Sequence, residues 1–106
     1  MKIAVSATGG SLSAQIDPRF GRCAYFVIVD SDTMKFSAFS NPASELSGGA
    51  GPAAAREIVK NDVKVLLTGN VGTNAKLALE AGDVEIVTGI NGTVKEAVES
   101  YLSEKE

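Results

Sequence analysis

Histidine is absent from this chain of 106 residues, and Cys23 is its single cysteine. Without histidine, neither a Ser-His-Asp nor a Cys-His catalytic arrangement can form within the chain. One thiol cannot form an intramolecular disulfide, and it cannot complete a zinc site of the usual Cys/His kind. Since no acid–base pair is visible among the remaining carboxylates, lysines and tyrosines, we expect a binding protein and not an enzyme.

Excess basic charge and long hydrophobic runs are also absent. The formal net charge is −3, which argues against a nucleic-acid partner because such binding needs a basic surface. The apolar run of the N-terminal MKIAVSATGG is too short for a signal peptide or a membrane span. We therefore expect a cytoplasmic protein with neither a membrane nor a nucleic acid as partner.

What is present indicates one globular domain over residues 1–106, because hydrophobic residues make up 44% of the chain and suffice for a core. Short apolar runs at 2–6, 25–29, 63–67 and 84–87 predict buried strands, and the alternation over 34–38 predicts an edge strand. Helices are predicted from Pro52, over 73–81 and from Thr93, which forms a capping-box pattern with Glu96.

These elements follow in the order β-β-β-α-β-α-β-α. The turn residues Asp30-Ser31-Asp32-Thr33 predict an antiparallel hairpin of the second and third strands. The fourth and fifth strands, which are joined by a helix, should be parallel. The expected fold class is therefore α/β, with a mixed five-stranded sheet and helices on both faces.

Glycine-rich loops are predicted at one edge of this sheet, where ligands of open α/β sheets bind. Glycine allows close backbone approach, and helix N-termini attract anions. The alternative is that these glycines only form tight turns and caps. The candidate ligand-binding residues of the loops are Thr8, Gly9, Gly10, Gly49, Gly51, Gly69 and Gly72.

Three segments, which follow one another along the chain in the same order as in a known family, resemble that family. They are RFGRCAYFVIVD, GAGPAAAREIVKNDVKVLLTGNVGTNAKLAL and AGDVEIVTGINGTVKEAVESYL, and together they cover nearly the whole chain. The chain resembles the dinitrogenase iron–molybdenum cofactor biosynthesis family, the nitrogenase accessory-factor proteins. The resemblance implies a ribonuclease-H-like fold and an accessory protein that binds or carries an iron–molybdenum cofactor or an iron–sulfur cluster. It also implies cluster-assembly proteins as partners.

The segment from Arg19 to Cys23 carries the remaining candidates. Arg19 and Arg22 would supply positive charge for an anion, and Cys23 is the candidate metal ligand, with a pKa lowered by its arginine neighbours. One thiolate is few for an iron–sulfur cluster. The alternatives are that the arginines pair with Asp17 or Asp30, that Cys23 is an inert thiol, and that the chain is a regulatory module for a small anionic ligand without metal.

Overall fold

Five strands and three helices make up the computed structural model, which describes residues 1–104. The strands are β1 (Lys2–Ala7), β2 (Tyr25–Asp30), β3 (Phe36–Ser40), β4 (Val63–Leu67) and β5 (Glu85–Val87). The helices are α1 (Ala50–Lys60), α2 (Thr73–Ala81) and α3 (Val94–Glu104). The predicted single domain 1–106 extends beyond the described residues at Lys105 and Glu106.

The strands form one mixed sheet in the order β3-β2-β1-β4-β5. Strand β2 is antiparallel to both β1 and β3, whereas β4 is parallel to β1 and to β5. The predicted mixed five-stranded sheet is confirmed, and so is the antiparallel hairpin that the turn residues indicated. A turn this short joins antiparallel neighbours, whereas parallel strands need a crossover connection.

Helices cover both faces of the sheet. On one face, α1 and α2 bury Ile58 and Leu79 against Phe26 and Leu66. On the other face, α3 buries Val94 and Val98 against a layer that includes Val5 of β1. Full burial of one such aliphatic side chain contributes about 1.5–3 kcal/mol. The central strands are hydrophobic at nearly every position because both of their faces are covered.

The edge strand starts later than the sequence pattern suggested. Met34 was expected to be the first residue of the alternation, but its φ of 60° places it in the left-handed region. The N–H of Met34 donates to the carbonyl of Asp30 at 2.7 Å, so it closes the hairpin turn. Within residues 1–104, no helix combines the length and the hydrophobicity that crossing a membrane requires.

Candidate functional site

All three helices begin at the same edge of the sheet. Strands β3, β4 and β5 run in the same direction as β1, and each of them is followed by a helix. The helix N-termini therefore gather where these strands end, which we call the carboxyl edge. Ligands of open α/β sheets bind at this edge because free backbone N–H groups collect there.

The segment between β1 and β2 crosses the carboxyl edge. Its Asp17 N–H donates to the carbonyl of Ser6 at 2.9 Å, and its Ile16 N–H donates to the carbonyl of Gly92 at 2.9 Å. Further along, the carbonyl of Pro18 accepts from the N–H of Asn70 at 2.8 Å. This segment therefore ties the end of β1 to the loops that lead into α2 and α3.

Asp17 is a buried carboxylate that anchors Arg19. Its side chain is 6% exposed, whereas that of Arg19 is 66% exposed. The Asp17 carboxylate accepts from the backbone N–H of Arg19 at 3.0 Å and from two guanidinium nitrogens at 3.2 Å. The hydrogen bond and the charge of Asp17 raise the pKa of Arg19 above its usual value. Arg19 thus lies at the carboxyl edge, but a neighbouring negative charge offsets its own.

Arg22 has a different environment. One of its guanidinium nitrogens donates to the carbonyl of Ser44 at 2.9 Å and to that of Leu46 at 2.5 Å. Neither of the two ion pairs among residues 1–104 involves Arg22. The predicted alternative, in which both arginines pair with nearby acids, therefore holds for Arg19 alone. Arg22 is tied by these hydrogen bonds to the loop before α1, and its guanidinium group forms no ion pair within the described residues.

The N-termini of α1 and α2 touch. A Cβ built on Gly51, in the first turn of α1, would lie 3.2 Å from the Cβ of Ala75, in the first turn of α2. Each helix N-terminus has a partial positive charge of about half an elementary charge. Two such ends side by side repel each other, and an anion placed over them would relieve the repulsion.

Neither of these two helices has a capping side chain. The N-cap residues are Gly49 for α1 and Gly72 for α2; no side chain caps either helix, and no acidic residue lies in either first turn. Helix α3 differs, because Thr93 and Glu96 form the predicted capping box at 2.9 and 3.2 Å. These hydrogen bonds lower the pKa of Glu96. The free N–H donors of the carboxyl edge therefore belong to α1 and α2.

Two other glycines are required because backbones pass very close to them. A Cβ on Gly69 would lie 2.5 Å from the Cα of Pro18, and a Cβ on Gly21 would lie 2.8 Å from the backbone nitrogen of Gly51. Real Cβ atoms do not approach backbone atoms so closely. These contacts position the RFGRC segment against the starts of α1 and α2.

Cys23 lies inside the protein and not at its surface. Its exposed fraction is 0%, and it packs with Phe20 and Phe26 beneath α1. Burial, aided by the nearby charge of Asp17, raises the pKa of the thiol to about 12. The expectation that neighbouring arginines lower this pKa is wrong, because burial of the thiol is the largest influence and raises it. At neutral pH the side chain is a protonated thiol without access to a surface ligand.

The structure brings together most of the predicted site residues. Arg19 is bridged to Asn70 in the loop before α2, and Gly51 contacts the first turn of that helix. The glycines at positions 9 and 10 lie elsewhere: a Cβ on Gly10 would contact Ala38 and Tyr25, on the sheet face that α3 covers. The residues that share the α1/α2 side of the carboxyl edge are Arg19, Arg22, Gly49, Gly51, Gly69 and Gly72.

Asn41 is a structural residue of the site that sequence analysis did not identify. Its side-chain amide donates to the carbonyls of Gly21 and Cys23 at 3.0 and 3.1 Å, and its Oδ1 accepts from the N–H of Ala43 at 3.0 Å. An Asn-Pro pair, which here occupies positions 41 and 42, is typical only of a turn. That the amide would reach back to the RFGRC segment depends on the pairing of β2 with β3, which a local pattern does not contain.

Two further observations limit the chemistry of the site. Within the described residues, no group of three or more Cys, Asp or Glu side chains could hold a metal ion. A surface cavity of about 380 Å³ lies instead beside α3, and its lining includes Glu96 and Glu104 but no lysine or arginine. That cavity would repel an anion, so the α1/α2 side of the carboxyl edge is the better anion site.

Comparisons with known proteins show the family of this chain. Residues 1–104 match the family described as dinitrogenase iron–molybdenum cofactor. The chain belongs to this family. The apo form of the orange protein from Desulfovibrio gigas is 42% identical, with a TM-score of 0.95 over 98% of this chain and 88% of that one.

A second similar structure is that of a putative NifB protein from Thermotoga. It is 30% identical, with a TM-score of 0.83 over 96% of this chain and 87% of that one. No curated protein matches the sequence. Family and structural neighbours together associate this chain with the handling of a metallocluster or cofactor.

Proposed function

We propose that this chain is a small cytoplasmic accessory protein that binds an anionic metallocluster as cargo. The cargo would be an iron–molybdenum cofactor or an iron–sulfur precursor, which the chain holds for cluster-assembly proteins without catalysing a reaction on it. Family membership supports the association with a metallocluster. The resemblance also leads us to include the ribonuclease-H-like class of the fold in this proposal.

The observation that carries the proposal is the contact between the uncapped N-termini of α1 and α2. Their first turns meet at Gly51 and Ala75, and neither has a capping side chain. The free N–H groups of both helices can donate to one anion at once. Arg22 adds a full positive charge near the start of α1, and Arg19 offers the exposed part of its guanidinium group.

This set of donors fits an anion that arrives fully assembled. Backbone N–H groups and guanidinium groups donate hydrogen bonds, but they do not replace the thiolate ligands of an iron–sulfur cluster. The one thiol of the chain is buried and protonated. The chain would therefore hold its cargo by charge and hydrogen bonds, and release would not require breaking a protein–metal bond.

Anaerobic reconstitution with iron, sulfide and molybdate tests the proposal. The protein is passed through a desalting column, and the metal retained per chain is measured together with the absorption spectrum. We expect wild-type protein and Cys23→Ala to retain equal amounts of metal, because Sγ does not contact the cargo. Arg22→Ala should retain less, and Arg22→Lys should retain an intermediate amount because it keeps the charge but loses the planar donor geometry.

Loss of metal from Cys23→Ala, with its fold intact by circular dichroism, would contradict the non-covalent mode of binding. Absence of metal from the wild-type protein would contradict cluster carriage itself. If Arg22→Ala retained as much metal as the wild-type protein, Arg22 would not belong to the binding site.

A second candidate function is a binding or regulatory module for a small anion without metal. The specific observation in its favour is that the edge presents N–H donors and no exposed soft ligand, a combination that suits phosphate as well as a cluster. Titration with inorganic phosphate, followed by amide chemical shifts, separates the two candidates. Strong phosphate binding at Gly49–Gly51 and Gly72 without any metal retention would favour the second.

A further inference from the structure

Strand β3 has an open edge. It pairs with β2 alone, at one end of the sheet order, and four of its five residues are exposed. Its outer side therefore offers backbone donors and acceptors to another strand. Such an edge is a ready template for pairing with a second chain.

The residues whose backbone groups face outward can be identified. The N–H of Asp30 donates to the carbonyl of Lys35 and the N–H of Asn41 to that of Ala24, both at 2.9 Å. In an antiparallel ladder, hydrogen-bonded pairs alternate with non-hydrogen-bonded pairs. The register of β2 and β3 then directs the odd-numbered residues of β3 toward β2. The outward N–H and C=O groups belong to Phe36, Ala38 and Ser40.

Within Phe36–Ser40 itself, β3 has no charge, no proline and no bulge, the features that most often protect an edge strand. The strand reads Phe-Ser-Ala-Phe-Ser and contains no proline and no charge, and its register with β2 is continuous, without a bulge. Proteins that keep an edge unpaired place lysine, proline or a bulge there. Three large hydrophobic side chains near this edge are also exposed, at 37% for Tyr25, 37% for Met34 and 45% for Phe36.

We propose that β3 is a self-association surface, through which two copies of this chain pair antiparallel about a twofold axis at Ala38. In this register Ala38 faces Ala38 of the second copy, and Phe36 faces its Ser40. Each of these pairs exchanges two backbone hydrogen bonds, so every outward group of β3 is satisfied. The two five-stranded sheets become one continuous sheet.

We infer that the partner strand at the edge of β3 comes from a second copy of this chain, because the sequence of β3 is complementary to itself. With Ala38 on the axis, each phenylalanine faces a serine: Phe36 faces Ser40, and Phe39 faces Ser37. A large side chain thus meets a small one at every mixed pair, and no two aromatic rings compete for one space. Beyond the strand, Lys35 faces Asn41, so no like charges meet across the axis.

The contact is small, which determines how strongly the copies associate. Stable interfaces bury roughly 800 Å² on each partner, and one edge strand of five residues provides less than that. The dimer should therefore be weak and dependent on concentration, and it should dissociate on dilution.

Sedimentation equilibrium and amide hydrogen exchange over a range of protein concentrations test this inference. We expect the average mass to rise toward that of a dimer as concentration increases. Over the same range, exchange should slow at the amides of Phe36, Ala38 and Ser40, while the amides of Ser37 and Phe39 are protected at all concentrations. A monomer at every concentration, or a dimer whose newly protected amides lie outside β3, would overturn the proposal.

Ala38→Pro and Ala38→Ser form a matched pair of variants. Proline removes the outward N–H at the axis but leaves the ladder with β2 intact, a position in which edge strands tolerate it. We expect Ala38→Pro to stay monomeric and Ala38→Ser to dimerise like the wild-type protein. Equal dimerisation of both variants would refute the proposed register. If the proline variant does not fold, the wild-type exchange pattern still decides the matter.

Discussion

At the scale of single residues, burial determines the chemistry of Cys23. The sequence places this thiol directly after Arg22 and close to Arg19, which suggests a reactive thiolate. In the fold, however, the side chain packs among Phe20, Phe26 and other core residues. The desolvation of a charged sulfur then dominates, and the pKa rises to about 12. Arg22 precedes Cys23 along the chain, but the neighbours of the thiol in space are apolar, with Asp17 close by.

Because of this raised pKa, the free energy of unfolding should fall at alkaline pH. Cys23→Ala should abolish this part of the pH dependence, because it removes the ionisable thiol. The unfolded thiol ionises above its ordinary pKa of 9.0, while the folded thiol keeps its proton up to about 12. The contribution of the thiol is thus complete below pH 9 and is lost as pH rises through this window, at up to about 1.4 kcal/mol per pH unit.

Urea unfolding of both proteins between pH 8 and 11 provides the measurement for Cys23. Below pH 9 the wild-type protein should be more stable than Cys23→Ala by roughly 1 kcal/mol, because the variant loses core volume. The difference should shrink, and then reverse, at higher pH. A difference that stays constant with pH would mean that the thiol ionises as easily in the folded protein as in the unfolded chain.

At the scale of elements, periodicity predicted the strands and helices because each pattern is local. The alternation in β3 follows from which face of the strand is covered. The helical spacing of the buried residues of α3, which are Val94, Ala97, Val98 and Tyr101, follows from which face of the helix is covered. The capping box at Thr93 and Glu96 was predictable for the same reason, since its hydrogen bonds span three residues. The place of Met34 in the turn was not predictable from a local pattern, because its left-handed φ depends on how the hairpin turn closes.

The site was only partly predictable. Glycine-rich loops followed by helices indicated the carboxyl edge correctly for α1 and α2. The loop after β1, at residues 8–10, was predicted to join these two loops because it also follows a strand. Gly10 instead packs toward Ala38 and Tyr25. Which face a loop takes depends on long-range packing. The pairing of Arg19 with Asp17, in contrast, could be foreseen as an alternative, because only Pro18 separates the two residues.

Gly69→Ala tests how closely the elements at the carboxyl edge pack. The new Cβ would lie 2.5 Å from the Cα of Pro18, so backbone must move, and stability should fall by roughly 1–3 kcal/mol. Gly48→Ala is the control, since nothing lies within 4 Å of its Cβ position. That variant should be neutral or slightly more stable. Equal melting temperatures for the two variants would contradict the close packing of Pro18 against this loop.

At the scale of the whole molecule, the two faces of the sheet differ in charge at their helix starts. On one face, α3 begins with a complete capping box that includes an acidic residue. On the other face, α1 and α2 begin with glycine and without acid, and their first turns touch. In a chain with a net charge of −3, these uncapped helix starts without acidic residues are where we expect the anionic cargo to bind.

The most direct test of that claim is Gly72→Asp, compared with Gly72→Asn. Gly72 has φ −71° and ψ 162°, and nothing lies within 4 Å of its Cβ position, so both side chains can cap α2. Both variants should be more stable than the wild-type protein by roughly 0.5–1 kcal/mol. Only aspartate adds a negative charge at the proposed anion site.

The measurement is the metal retained per chain after anaerobic reconstitution of the three proteins. We expect Gly72→Asn to retain less metal than wild type, because its capping oxygen occupies an N–H donor of α2. Gly72→Asp should retain far less than Gly72→Asn, because aspartate also adds a negative charge, although both variants are more stable than wild type. Like charges about 4 Å apart near a protein surface cost on the order of 1–4 kcal/mol, which lowers affinity about fivefold or more. If Gly72→Asp retains as much metal as the wild-type protein, the cargo does not lie at the N-terminus of α2, and the account is wrong.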